Sequence, residues 1–237
     1  MADIVRTSQQ VAGTRGRLEK IDHLSACLKA LGQEAELGVP YLIGEMRQGR
    51  IGMGWATIRK ARSNDKPAEA QLTLAEVDRT FEQIAQTRGA GSAAFRTEIL
   101  GGLFTRATAD EQDFLIRLIL GELRQGAMEG VMIEAIARAA NIPPAVIRRA
   151  VMLAGDPTRV AVAALNQGAA GLAQFALRVM QPVKPMLADS ADDPAEALLK
   201  LGEAVFEFKL DGARIQVHKS GSEVRVFTRR LNEVTAA

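Results

Sequence analysis

The sequence predicts a mainly α protein: an all-helical domain with an internal pseudo-twofold repeat, followed by a small β-rich segment. Three observations predict it. Residues 1–180 are rich in Ala, Leu, Arg, Glu and Gln, strong helix formers, and their apolar residues recur at helical spacing. An eight-residue stretch recurs in closely similar form within that region. Near residue 180 the texture changes: Pro and Asp cluster, and strand-like alternation follows.

In chain order, Leu18, Ile21, Leu24, Leu28 and Leu31 share one helical face, and Gly32 stops that helix. Leu42-Ile43-Gly44-Glu45-Met46-Arg47-Gln48-Gly49 returns as Ile119-Leu120-Gly121-Glu122-Leu123-Arg124-Gln125-Gly126, each copy a helix end at Gly with another helical segment after it. Phe114, Leu115, Leu118, Ile119 and Leu120 form a further apolar stripe, and Val131, Ile133, Ile136 and Ala137 the next. Pro143-Pro144 opens a helix carrying Val146, Ile147, Arg148 and Arg149. These stripes are core positions and carry no chemistry. Pro182, Pro185, Asp189, Asp192, Asp193 and Pro194 then break the helical texture. Asp193 as N-cap, Pro194 as first helical residue and Gly202 as stop frame a short helix at 195–201. The expected domains are 1–178, a linker at 179–194, and a β-rich segment at 195–237.

Composition narrows the function classes. The 237 residues are 47% hydrophobic, enough for a real core, and the net charge of +2 requires any basic patch to be local. The single cysteine, Cys27, forms no disulfide within the chain and fits a reducing cytoplasm. No signal peptide or membrane-spanning run is visible, and His23 and His218 lack neighbouring ligands, so no metal site is expected from these residues.

The chemistry concentrates at Glu207-Phe208-Lys209-Leu210-Asp211-Gly212-Ala213-Arg214. Residues 204–208 and 214–218 alternate as strands do, and Asp211-Gly212 between them predicts a hairpin. Strand period places Glu207 and Lys209 on one face, opposite Phe206 and Phe208. Val224 to Arg229 reads as a third strand after the turn Lys219-Ser220-Gly221-Ser222. An Asp-Gly hairpin with solvated charges is a common object. Four fixed residue types in the pattern K-x-D-G-x-R should arise by chance in only about one chain in several hundred.

The repeat has two readings. Gly exposes backbone N–H groups and Arg supplies a charged donor, which suits phosphate and minor-groove contacts, so two Arg-Gln-Gly turns could each meet one strand of a duplex. In the other reading the repeat is an element of folding, with the arginines capping their own helix ends.

Lys209-x-Asp211-Gly212-x-Arg214 resembles the nucleotidyl-transfer signature of polynucleotide ligases and capping enzymes. Arg17-Leu18-Glu19-Lys20-Ile21, Gly52-Met53-Gly54-Trp55-Ala56-Thr57 and Gly121-Glu122-Leu123-Arg124-Gln125-Gly126 resemble the helical DNA-binding domain of ATP-dependent DNA ligases. Pro185-Met186-Leu187-Ala188 is similar to the segment leading into their adenylation domain. The resemblance runs through nearly the whole chain. It implies a ligase that seals nicks in duplex DNA through a lysyl-AMP intermediate at Lys209, with Glu207, Arg214 and Arg229 binding ATP. It also implies DNA contacts from Arg47, Gly49, Arg50, Arg124 and Gly126, and a monomer without membrane partners. A complete adenylation domain has more sheet than 203–237 supplies, so the chain is expected to be the N-terminal part of a longer protein, with the Mg²⁺ ligands outside it. The alternative is a non-catalytic DNA-binding module that carries an inert remnant of the motif.

Overall fold

A computed structural model describes residues 1–64, 66–123, 128–185, 190–208 and 211–236. In order come α1 (Ala2–Gly13), α2 (Arg17–Leu31), a 3-10 turn at Gly32–Glu34, α3 (Ala35–Ile43), α4 (Trp55–Ala61), α5 (Leu74–Gln86), α6 (Ser92–Phe104) and α7 (Ala109–Leu120). α8 (Met128–Ala140), α9 (Pro144–Ala154), α10 (Pro157–Gly171), α11 (Pro194–Leu201), β1 (Ile215–Ser220) and β2 (Glu223–Thr228) follow. The chain divides into two compact units, Met1–Arg148 with Asp156–Gln174 and Arg149–Gly155 with Phe175–Ala237. Among the described residues no helix is long and apolar enough to cross a membrane.

In the first unit α2 packs along α8, α1 lies against α2, α10 against α3 and α8, and α6 against α4 and α5. The expected stripes supply much of this core: Ile21, Leu24, Leu28, Phe114, Leu115, Leu118, Val131, Ile133, Ile136 and Ala137 are buried. Leu18 departs from its stripe and is 67% exposed, since it sits in the first turn of α2. Tyr41, Phe81 and Phe104 are the bulkiest fully buried side chains.

Both copies of the repeat end their helix in the same way. Gly44 is left-handed, its N–H donates to the Tyr41 carbonyl, and the Glu45 N–H donates to that of Pro40. Gly121 is likewise left-handed, with N–H bonds from Gly121 to Leu118 and from Glu122 to Arg117. Both are Schellman stops, which need a residue at positive φ. After the stop the copies diverge. The first runs irregularly to α4 at Trp55, whereas the second re-enters helix at Met128. Gly52, at φ 69°, and Gly54 delay helix formation in the first copy; Glu129 and Val131 occupy the corresponding places in the second.

α5 owes its start to a capping box. The Thr73 hydroxyl accepts from the Glu76 N–H at 3.2 Å, and the Thr73 N–H donates to the Glu76 carboxylate at 2.9 Å. Arg106 adds a bond to the same carboxylate at 2.8 Å. The Thr73 N–H, then Arg106 and the Thr73 hydroxyl, hold the Glu76 carboxyl down at about 2, against an ordinary 4.5. A depressed folded-state value stabilises above the unfolded value, and that contribution is lost as pH falls through the folded one. Glu76→Gln is therefore expected to lower Tm at neutral pH. The gap from wild type should close as pH falls from 4.5 to about 2. A gap in thermal melts that stays constant to the acid end would show that the carboxylate charge contributes nothing.

In the second unit β1 and β2 form an antiparallel hairpin in the register Ile215↔Thr228 to Ser220↔Glu223, closed by Gly221-Ser222 with Gly221 at φ 59°. Phe227 is buried and meets the His218 ring edge-on at 5.2 Å. Two β1 side chains hold the preceding segment. The Gln216 amide accepts from the Val183 N–H at 3.0 Å and donates to the Val183 carbonyl at 2.6 Å. His218 Nδ1 accepts from the Met180 N–H at 3.2 Å. α11 starts as expected, with the Asp193 side chain accepting from the Glu196 N–H, and Gly202 stops it.

The hairpin expected around Asp211-Gly212 is corrected. Residues 204–208 form no strand, and β1 pairs with β2 instead. Val205, Phe206 and Phe208 are 90%, 68% and 97% exposed. Alternation makes a strand only where one face has something to cover and an edge has a partner; among the described residues, 204–208 has neither.

Candidate functional site

Two regions carry chemistry, one in each unit. In the second unit, Lys209 lies outside the described residues. Glu207, Asp211, Gly212 and Arg214 are exposed. Arg214 directly precedes β1, and Arg229 directly follows β2. The register ends at Ile215↔Thr228, beyond which the chain turns back with the Leu231 N–H donating to the Thr228 carbonyl at 2.9 Å, so Arg214 and Arg229 each adjoin one member of the last pair at the open end of the hairpin. Both are exposed, and among the described residues neither is in an ion pair. Two unneutralised guanidiniums at one edge fit a polyphosphate, because each offers a rigid donor fork. The hairpin thus joins two predicted residues that lie fifteen positions apart in sequence.

In the first unit, residues 44–46, 49–54 and 118–121 line an open hollow of about 680 Å³. The helix stops of both repeat copies thus meet at one surface feature. Gly49 and Gly52 are at positive φ, and Arg50 is exposed without an ion-pair partner among the described residues. Arg124 and Gly126 lie outside the described residues. Arg47 does not stand free. Its Nε and Nη2 donate to the two oxygens of Asp78 at 3.1 and 2.8 Å, and its Nη1 lies 3.4 Å from Glu36. Those bonds from Asp78 push the Arg47 guanidinium further up. Gln48 donates to the same Asp78 carboxylate at 2.9 Å. Tyr41 is buried beneath, and burial, then the Asp78 charge, push its phenol up.

Sequence reasoning missed Asp78 and Arg96. Asp78 had a signal: Leu74, Val77, Phe81 and Ile84 mark the buried face of α5, and Asp78 falls on that face, 7% exposed. An acid in an apolar stripe requires a cationic partner. Arg96 of α6 spans from the Thr87 carbonyl to that of Gly52, at 3.5 Å from the latter. No local sequence pattern marks that contact, which joins residues far apart in the chain.

Two family models match the chain: DNA ligase N terminus over residues 55–137, and ATP dependent DNA ligase domain over residues 185–237. Among curated proteins, one described as "Probable DNA ligase" from Anaeromyxobacter sp. (strain Fw109-5) is 55% identical over 100% of this chain and 46% of its own length. Proteins of the same description from Sorangium cellulosum (strain So ce56) and Rhodococcus opacus (strain B4) are 49% and 51% identical, again over 100% of this chain and over 45% and 47% of their own lengths. The chain therefore spans about half the length of the curated relatives it matches.

Proposed function

Because the chain belongs to the ATP-dependent DNA ligase family, we propose that the protein seals nicks in duplex DNA, with Lys209 as its nucleophile. The observation that carries this reading is the run Lys209-x-Asp211-Gly212-x-Arg214 inside the matched ligase segment, with Arg214 and Arg229 at the same end of the hairpin. The deprotonated Lys209 Nζ attacks the α-phosphorus of ATP; a P–N bond forms, the bond to pyrophosphate breaks, and the lysine proton goes to solvent. The adenylyl group then passes to the 5′-phosphate at the nick, which frees the lysine. The 3′-hydroxyl attacks that phosphate and AMP leaves. A free lysine titrates near ~10.4, so neighbouring cations that favour the neutral amine serve the first step. Arg214 and Arg229 also complement the phosphate charge, and Glu207 lies toward the base. Mg²⁺, when bound, would neutralise charge on the leaving pyrophosphate.

Labelled ATP with Mg²⁺ tests the reading in the full-length protein. An acid-labile adenylate should form and map to Lys209; its absence sinks the catalytic reading and leaves a DNA-binding module with an inert motif. Arg214→Ala is expected to slow adenylate formation by about 10²–10³-fold, the effect of removing one charge-stabilising donor. Adenylation at the wild-type rate would mean that Arg214 has no part in the step.

For the 237 residues by themselves the proposed property is DNA binding by the helical unit, since 204–208 is unpaired and its apolar side chains lie open to solvent. The hollow lined by the helix stops of both repeat copies is the proposed DNA face: Gly49 and Arg50 of the first copy are proposed to meet one strand of a nicked duplex, and the sequence repeat makes Arg124 and Gly126 the candidates for the other. The protein is proposed to work as a cytoplasmic monomer, where its lone buried thiol stays reduced.

A further inference from the structure

The first Arg-Gln-Gly turn is gripped from inside the protein. We propose that Asp78 is a positioning residue for DNA binding: through Arg47 and Gln48 it holds the turn at 46–52 in shape, and Arg50 and the turn's backbone, not Arg47, meet the phosphates. This rests on the reading above that the hollow faces DNA.

Three of the five N–H donors of Arg47 are already committed. The Asp78 side chain, only 11% exposed, takes both its Nε and Nη2, and Glu36 lies beside the remaining nitrogen. A guanidinium set between two carboxylates offers a phosphate little net charge. The pair spans from the turn to α5, 31 residues along the chain, and Gln48 doubles it by donating to the Asp78 carboxylate and to its backbone carbonyl at 3.2 Å. One side chain on α5 thus fixes two successive residues of the turn. Gly52, at the far end, is fixed independently from α6. Arg96 Nη1 reaches its carbonyl, and a Cβ at Gly52 would lie 2.9 Å from that same nitrogen. Between these two anchors lie Gly49, at φ 65°, and the exposed Arg50. The Gly49 N–H is already donated to the Met46 carbonyl at 3.0 Å, so the N–H groups proposed to meet phosphate are those that follow it, and a backbone held at both ends presents them without an ordering cost at the moment of binding.

The test measures affinity of the full-length protein for a nicked duplex across a salt series, with thermal melts alongside. The variants are Arg47→Ala, Arg47→Lys, Asp78→Asn, the double variant Arg47→Ala with Asp78→Asn, and Arg50→Ala. Arg47→Ala and Asp78→Asn should each weaken binding on the order of tenfold. The double variant should be no weaker than either single, as residues of one ion-pair network behave. Their salt slopes should match wild type, because no phosphate contact is lost. Arg47→Lys keeps the charge but loses the fork, so it should bind as weakly as Arg47→Ala. Arg50→Ala should lower the salt slope by about one.

Several results would overturn the proposal: a lowered salt slope for Arg47→Ala, near-wild-type binding by Arg47→Lys, losses that multiply in the double variant, or wild-type affinity in Asp78→Asn. A Tm loss with unchanged affinity would make the pair an element of stability alone. An unchanged slope in Arg50→Ala would instead overturn the DNA-face reading itself, so the two failures are separable.

Discussion

Lys209→Ala in the full-length protein is expected to abolish both the protein adenylate and nick sealing, while affinity for nicked duplex stays close to wild type. The loss is complete because no other group can supply the nitrogen that bonds to phosphorus. Lys209→Arg should be equally inactive, since a guanidinium stays protonated at any pH the protein tolerates. Affinity survives because the proposed DNA face lies in the helical unit, in turns far from residue 209 along the chain. Sealing of a pre-adenylated nick separates the steps further. That reaction no longer requires lysine to attack ATP, so Lys209→Ala should retain part of it. Normal turnover from ATP by Lys209→Ala would refute the nucleophile assignment.

Phe81→Ala is expected to destabilise the helical unit by about 3–5 kcal/mol, the range for removing a fully buried phenylalanine. Phe81 has no solvent exposure and meets Tyr41 edge-on, with centroids 6.1 Å apart at 67°. The substitution leaves a cavity and also strips an aromatic contact worth about 0.5–1.5 kcal/mol from Tyr41. Urea denaturation followed by helical circular dichroism measures the loss. The single tryptophan, Trp55, lies in the same unit and gives a second probe. A loss below about 1 kcal/mol would mean that the α5 face is not part of the core. Because Asp78 lies one turn before Phe81 on that face, the variant should weaken duplex binding as well.

The helical unit was legible because its signals are local. Leu24 and Leu28 fall one turn apart, Gly32 ends α2, and Asp193, Pro194 and Gly202 frame α11; each acts within a few residues of itself. The second unit was legible in part. Gly221-Ser222 turns β1 into β2 as the alternation of Val224, Val226 and Thr228 against Ile215 and Val217 suggests. The alternation at 204–208 misled because it states only which faces could be apolar and supplies neither a partner strand nor a cover. Of the candidate site, the motif residues were readable as a pattern, while their juxtaposition was not. Arg214 and Arg229 come to the same end of the hairpin only through its register. The Asp78 clasp on Arg47 and Gln48 joins elements 30 and 31 residues apart, and only the misplaced acid on α5 hinted at it.

At position 216 one side chain is donor and acceptor at once. The Gln216 amide does for Val183 what an adjacent strand would do, accepting its N–H and donating to its carbonyl. Pro182, directly before it, has no N–H to offer, and the N–H of Lys184, directly after it, goes to the Met152 carbonyl at 2.9 Å, so Val183 is where β1 stitches this stretch in both directions. Glutamate lacks the donor, lysine lacks the acceptor, and asparagine is one methylene short. Glutamine is also among the thermolabile residues. Hydrolysis of that one side-chain amide would set a carboxylate against the Val183 carbonyl and undo the stitch without cutting the backbone, so the durability of this connection in warm solution is limited by side-chain ageing.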